Sequence, residues 1–407
     1  MRETSRDYAH PHRPRAIALL NRALPRGRPL DVEALVDASR RRAGLHEFGD
    51  PPPLPPLRIL TESIEREARL HPVGHFITRE RLTSVLVSRL ETHAAASPEV
   101  RALELEPPLV IAGLQRSGTT LLHRLLAADP RRRWLASWEA LRPARPAGRT
   151  LGGGDPRVAA AVRAQRALRY LAPDFFAVHP VRARGPEEDV LLLDQALLST
   201  VPEATLRVPT YARWLESADQ RPAYEHLALL LRLLSWQRGR GKRWLLKTPH
   251  HLEWLDALFE VFDGARVIWT HRDPVVTVAS LCSMIAHGRG VFSDAIDPRE
   301  IGRDWSRKVA RLVERAMATR DGGREARFID VRYEDLVRDP IAVVRRIHHA
   351  LGESFPPDVE RHVRRALDAH PRHQHGRHVY ALEDFGLSPG PLRERFAAYR
   401  ERFVEPR

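Results

Sequence analysis

The sequence predicts an α/β fold built on a parallel sheet of about four to five strands flanked by helices. Three observations carry that expectation. Short apolar runs of strand length recur at Leu109–Ala112, Trp244–Leu246, Arg266–Thr270 and Arg327–Val331. Segments with helical spacing separate them, and strands alternating with helices imply parallel pairing through right-handed crossovers. The first run passes directly into a glycine-containing turn and then a helix, so the sheet is expected to be P-loop-like.

The elements follow in chain order. Residues 1 to about 56 carry proline clusters ending in Pro51-Pro52-Pro53-Leu54-Pro55-Pro56, which reads as a partly helical arm with an extended polyproline linker. Two amphipathic helices are expected near Leu57–Leu70 and Ile77–Ala96, so that residues 1–106 form an N-terminal helical arm and linker. The main domain is expected over residues 107–400. Its first strand, Leu109–Ala112, leads to a helix marked by Leu121-Leu122 and Leu125-Leu126. From Pro143 to Gln237 the texture is mostly helical, giving a helical insertion at about 143–240. Trp244–Leu246 is the second strand, followed by a helix from about His250 to Phe262. Arg266–Thr270 is the third, with Pro274 placed to open the next helix, and Arg327–Val331 is the fourth. No internal repeat is present.

Composition narrows the function classes. The 407 residues are 43% hydrophobic and 29% charged, the balance of a globular protein. No apolar run approaches the roughly 20 residues that cross a bilayer, so no transmembrane segment is expected. The arginine- and proline-rich N-terminus lacks the apolar core of a secretory signal. A single cysteine, Cys282, excludes an intramolecular disulfide framework, and a cytoplasmic protein is expected. The net charge of +14 points to an anionic partner. Its arginines are spread along the chain, which favours an anionic small substrate or cofactor over nucleic acid. Only Lys242, Lys247 and Lys308 are lysines, so each lysine is informative.

The stretch Gly113-Leu-Gln-Arg-Ser-Gly-Thr-Thr120 has the spacing of G-x-x-x-x-G-K-[ST], where backbone N–H groups and a helix N-terminus converge on an anion. A tight strand-to-helix turn with a capping Ser or Thr is the plainer reading. Thr119 stands where a nucleotide triphosphatase has lysine, and no later strand ends in a Walker-B acid. A P-loop kinase or nucleotide-binding protein using ATP, and a non-catalytic polyanion-binding protein, are the rival readings.

Gln115-Arg116-Ser117-Gly118-Thr119-Thr120-Leu121 resembles the 5′-phosphosulfate loop of sulfotransferases that use 3′-phosphoadenosine 5′-phosphosulfate (PAPS). The likeness is to a bacterial branch written P-R-S-G-T-T, related to the tyrosylprotein sulfotransferases, with Gln115 in place of the proline. The resemblance implies that Arg116, Ser117, Gly118, Thr119 and Thr120 hold the 5′-phosphosulfate, with Arg116 also catalytic. Thr270-His271-Arg272-Asp273-Pro274 followed by Ser280 resembles the 3′-phosphate motif, assigning Arg272 and Ser280 to that group. A charged helix cap is the alternative there. Lys247, in Trp244-Leu-Leu-Lys-Thr-Pro, matches the lysine that contacts the bridging oxygen of the leaving group. Tyr333 of Tyr333-Glu334-Asp335-Leu336 is implied near the nucleotide, and Arg377 in a C-terminal closing segment is implied at the 3′-phosphate.

Sulfuryl transfer needs a base for the acceptor hydroxyl and positive charge on the departing phosphate, but no metal. Glu139 is the expected base, because a glutamate follows the loop arginine at nearly this distance in tyrosylprotein sulfotransferases. Glu187, Glu188, His123, His250 and His251 are the alternatives, with Glu187-Glu188-Asp189 read first as acids in the first turn of a helix. His373, His375 and His378 lack a cysteine partner, and no metal is expected. The resemblance thus implies transfer of a sulfuryl group from PAPS to a hydroxylated small-molecule, lipid or glycan acceptor.

Overall fold

The computed structural model describes residues 3–25, 27–145, 154–239, 241–369 and 378–405. Its centre is a sheet of five parallel strands: β1 (Leu109–Gly113), β2 (Arg132–Trp134), β3 (Arg243–Lys247), β4 (Arg266–His271) and β5 (Phe328–Arg332), in the order β2-β3-β1-β4-β5. The chain leaves β1 toward β2 and β3 on one side, then crosses to β4 and β5 on the other. Winding therefore reverses at β1, the position where open parallel sheets bind ligands beyond their strand ends. In register, Ile111 lies beside Lys247 on one flank, and Gly113 beside Thr270 on the other.

Every residue of β1 is buried, so it reads as an unbroken apolar run. Successive side chains still alternate between two cores. Val110, Ala112, Trp244, Leu246, Val267 and Trp269 face one, and Leu109, Ile111, Leu245, Ile268 and Val331 face the other. The second core is completed by Leu122, Leu125 and Leu126 of the helix that follows the Gly113–Thr120 loop, and by Val344 and Ile347 farther along. The first also takes Leu35, Leu57, Leu60, Leu82 and Leu86 from the N-terminal helices Val32–Ala43, Leu54–Glu67 and Pro72–Ala95. Those helices are packed into the body of the sheet.

Several local expectations change. The strand β2 was not foreseen, because Arg-Arg-Trp carries no apolar run. It is an edge strand paired only to β3, with the Arg133 guanidinium 5.6 Å from the ring centroid of Trp244. The polyproline linker stops short: Pro55 and Pro56 lie in the first turn of the Leu54–Glu67 helix, where a missing N–H costs nothing. The helix expected at His250–Phe262 divides into a 3-10 turn, Pro249–Glu253, and a helix, Leu255–Val261. Between Pro156 and Arg238 the chain is mostly helical, as its texture predicts. No helix among the described residues is long and apolar enough to cross a membrane.

Gly113 is glycine because of close approach. A Cβ there would meet Thr270 Oγ1 at 2.0 Å and Ser117 Oγ at 2.9 Å. Gly113→Ala must therefore push β1 from β4, with an expected loss of about 1–3 kcal/mol in urea denaturation; an unchanged midpoint would contradict this contact. His123, on the loop helix, is 2% exposed. Burial first, and the charge of Lys247 second, push its imidazole down to about 3 from an ordinary 6.5. The unfolded chain thus binds more protons than the folded one across that window, and stability is lost as pH falls from about 6.5 toward about 3. Urea midpoints at about pH 7 and about pH 5 should differ accordingly, and His123→Gln should flatten the difference.

Candidate active site

The loop turns back on itself twice. Arg116 has φ +71° and Gly118 has φ +91°, both left-handed; for the arginine this conformation costs roughly 1–2 kcal/mol. The helix Thr119–Ala127 then begins without a side-chain cap. Its first N–H groups have no partner within the helix and face outward past the strand ends. Ser117 shapes this path from inside. It is fully buried, its hydroxyl donates to Leu114 O at 2.6 Å, and Thr270 Oγ1 lies 2.6 Å from the same oxygen. Its backbone N–H also donates to Leu114 O, at 3.1 Å. Both polar groups of Ser117 are thus engaged within the loop, whereas Thr120 is exposed and Gly118 is partly so.

Arg272 follows two residues after Thr270 and locks onto the loop. Its Nη1 donates to Arg116 O at 2.7 Å, and its guanidinium lies 3.9 Å from the ring centroid of Tyr333. Tyr333 and Leu336 in turn abut Gly118, where a Cβ would come within 2.8 Å of Leu336 Cδ2. Three strand ends, those of β1, β4 and β5, are joined through these contacts. The Arg116 side chain is exposed, yet the residues packed around it partly desolvate it. That desolvation lowers its pKa, Tyr380 opposes the shift, and the charge of Arg272 lowers it further. Among the described residues neither Arg116 nor Arg272 has a carboxylate partner. Two guanidiniums held beside an uncapped helix N-terminus suit a multiply charged anion.

Lys247 ends β3 on the opposite flank of β1. By strand spacing it lies roughly 10 Å from the Arg272 side of the site. Its ammonium donates to Glu188 Oε1 at 2.5 Å, and its backbone N–H donates to Asp189 Oδ1 at 2.8 Å. Asp189 is fully buried and pairs with His251 Nε2 at 2.9 Å, and Tyr224 OH lies 2.9 Å from the other ring nitrogen. Burial pushes the Asp189 carboxyl up, but His251 and the Lys247 amide outweigh it and hold it below the usual range. Glu188 and Asp189 therefore do not serve as acids in a helical first turn: they precede the helix Val190–Leu193, and their carboxylates turn to β3.

Glu139 is placed elsewhere. It lies in the short helix Ser137–Leu141 beyond edge strand β2 and is 1% exposed. Its Oε2 accepts from Ala136 N at 3.1 Å and from Arg238 Nη1 at 3.0 Å. Burial raises its pKa against the pull of Arg238. These contacts close its own helix and pair it with an arginine, and they include no group of the loop, Lys247 or Arg272. Distance along the sequence brought it near the loop on paper, but β2 carries it to the sheet edge.

Ser280, assigned from the sequence, leads to three residues that sequence reasoning left out of the site: His378, Ser283 and Tyr8. Ser280 is fully buried, its hydroxyl 3.3 Å from His378 Nδ1. His378 Nε2 lies 2.9 Å from Ser283 Oγ, to which Tyr8 OH donates at 3.0 Å. Burial, followed by the charge of Arg116, pushes His378 down to about 3. Val379 N donates to Thr4 Oγ1 at 3.0 Å, and Arg6 Nε donates to Asp384 Oδ2 at 2.9 Å. The N-terminal segment thereby straps the C-terminal segment beside Arg116. Nothing local signals these pairs, which lie up to 378 residues apart. Arg377, His373 and His375 lie outside the described residues. Among the described residues no group of three or more His, Cys, Asp or Glu could hold a metal ion.

Comparison with known proteins agrees with this architecture. A family model described as "Sulfotransferase family" matches residues 107–357. The ω-hydroxy-β-dihydromenaquinone-9 sulfotransferases Stf3 of Mycobacterium bovis and Mycobacterium tuberculosis are each 30% identical over 274 residues, 61% of this chain and 63% of theirs. The match thus spans less than two-thirds of those relatives. The crystal structure of sulfotransferase STF1 from Mycobacterium tuberculosis superposes with a TM-score of 0.80 at 33% identity, covering 91% of this chain and 99% of the other. That of STF9 from Mycobacterium avium gives 0.81 at 30% identity, covering 92% and 97%. With residues 107–357 matched by the family model and both whole-chain superpositions at this level, the chain belongs to the sulfotransferase family.

Proposed function

We propose that the chain transfers a sulfuryl group from PAPS to the hydroxyl of a lipid acceptor. The observation that carries this reading is the pair Arg116 and Arg272, fixed at an uncapped helix N-terminus with no carboxylate partner among the described residues. A donor with a phosphosulfate at one end and a phosphate at the other needs two such anion-binding groups. In this reading Arg116 and the amides of Gly118, Thr119 and Thr120 hold the 5′-phosphosulfate, with Ser117 maintaining the loop. Arg272 takes the 3′-phosphate, with Ser280 and His378 behind it, and Tyr333 keeps the Arg272 plane in place. Family membership implies a sulfate donor, and the two-ended charge favours PAPS as that donor. The lipid acceptor is suggested by the curated relatives, which are named for an ω-hydroxylated menaquinone. Cys282 is reduced and buried, and we place the reaction in the cytoplasm.

The reaction forms a bond from the acceptor oxygen to sulfur while the bond from sulfur to the bridging phosphate oxygen breaks. The products are a sulfate ester and 3′-phosphoadenosine 5′-phosphate. Charge accumulates on the departing phosphate, where Lys247 and Arg116 oppose it. The acceptor proton needs a base facing the same space. Glu188, already bonded to Lys247, is better placed than Glu139 for that role.

Calorimetric titration should show magnesium-independent binding of 3′-phosphoadenosine 5′-phosphate that exceeds binding of ATP; the reverse preference would support the kinase reading. Arg272→Ala should weaken this ligand by about 10- to 100-fold, as for a lost charged hydrogen bond, and weaken its 3′-dephospho analogue far less. Equal losses would remove Arg272 as the 3′-phosphate reader. Glu188→Gln should lower kcat by about 100-fold or more while sparing donor binding. Glu139→Gln should lower the melting temperature while leaving kcat within a few fold; the opposite pattern would return the base to Glu139.

A further inference from the structure

We propose that the chain docks on an anionic lipid surface through its N-terminal helix Arg15–Ala23. This extends the lipid-acceptor reading and rests on it. The helix is amphipathic, yet none of its residues is buried. Leu19 is 67% exposed, Leu20 43%, and Leu24, just past its end, 48%. Asn21 Oδ1 accepts from Val73 N at 3.1 Å, which seats this helix at the start of Pro72–Ala95, one turn before Phe76, itself 63% exposed. Exposed apolar side chains are ordinary when scattered, but a group gathered on one face marks an interaction surface.

A small cavity of about 20 Å³ lies nearby, lined by Pro11, Arg13, Leu171, Asp174, Phe175 and His287. Tyr170 stands exposed beside this lining. At the inner side, the Tyr8 ring lies 5.2 Å from His287, and Tyr8 OH continues through Ser283 to His378, next to Arg116.

Charge identifies the occupant. Residues 8–30 contain no Asp or Glu; with Arg13 paired to Asp294, they still include Arg15, Arg22, Arg26 and Arg28. The helix Pro156–Leu171 has no acid either, and its Arg163, Arg166 and Arg169 are exposed. Leucines flanked by arginines on a helix without buried residues fit a headgroup layer of negative charge. A second copy of the chain fits poorly, since symmetric pairing would set these arginines against one another.

Cosedimentation with vesicles tests this. The intact chain should bind vesicles of equimolar phosphatidylglycerol and phosphatidylcholine, and roughly tenfold or more less to phosphatidylcholine alone. The triple variant Leu19→Ser, Leu20→Ser, Leu24→Ser should lose at least about tenfold in binding, with melting and donor-product binding unchanged. The proposal is overturned if the intact chain stays in the supernatant, if the triple variant binds equally, or if the leucines instead support self-association in sedimentation velocity. Titration with 3′-phosphoadenosine 5′-phosphate separates the two ideas: vesicle binding without nucleotide binding sinks the transferase reading alone, and the converse sinks the docking surface alone.

Discussion

The contact between Gly113 and Thr270 governs the geometry of everything at the top of the sheet. With no side chain on Gly113, β1 and β4 approach closely enough for the Thr270 hydroxyl to reach Ser117 at 2.6 Å. That bond, with the one from Ser117 to Leu114 O, fixes the loop in two left-handed turns and aims the next helix outward. Arg272 is only two residues beyond Thr270, so the same contact sets where its guanidinium meets the Arg116 carbonyl. The two arginines are thus positioned by backbone and hydroxyl groups. Neither needs a carboxylate to hold it in place, and both remain available to an anion.

The three lysines divide according to their surroundings. Lys308 is buried, with its ammonium 3.1 Å from Glu203 and 2.8 Å from Glu253, where it binds the helical insertion to the helix Pro298–Thr319. Such a charge is consumed by the fold. Lys247 is also buried, but it ends a strand at the site and faces a single, partly exposed carboxylate. A compact ammonium with one movable partner can shift toward a departing phosphate, whereas a planar fork held by several bonds could not. Lys242 precedes β3 and is exposed.

Legibility in the sequence followed burial and chain distance. The three central strands and the edge strand β5 were readable because they form short, mostly apolar runs, and the loop was readable because its glycines stand at fixed offsets. The edge strand Arg132–Trp134 was not, since its arginines reach over Trp244 and toward Glu353 from a half-covered edge. Glu139 shows a different effect of chain distance. Its spacing from Arg116 is suggestive, but the arginine it pairs with, Arg238, lies 99 residues away. Glu188 looked like a helix-start acid until the fold placed β3 beside it. The pairing of Thr4 and Arg6 with Val379 and Asp384 leaves no local trace at all.

That last pairing gives the N-terminal segment a part in both halves of the site. Its residues Thr4 to Tyr8 bind the C-terminal segment, and Tyr8 supports Ser283 under His378, which neighbours Arg116 on the donor side. A few residues farther on, Pro11 and Arg13 line the cavity, and the helix with its exposed leucines begins at Arg15. One continuous stretch therefore runs from the segment beside Arg116, past the small cavity, to the exposed apolar face.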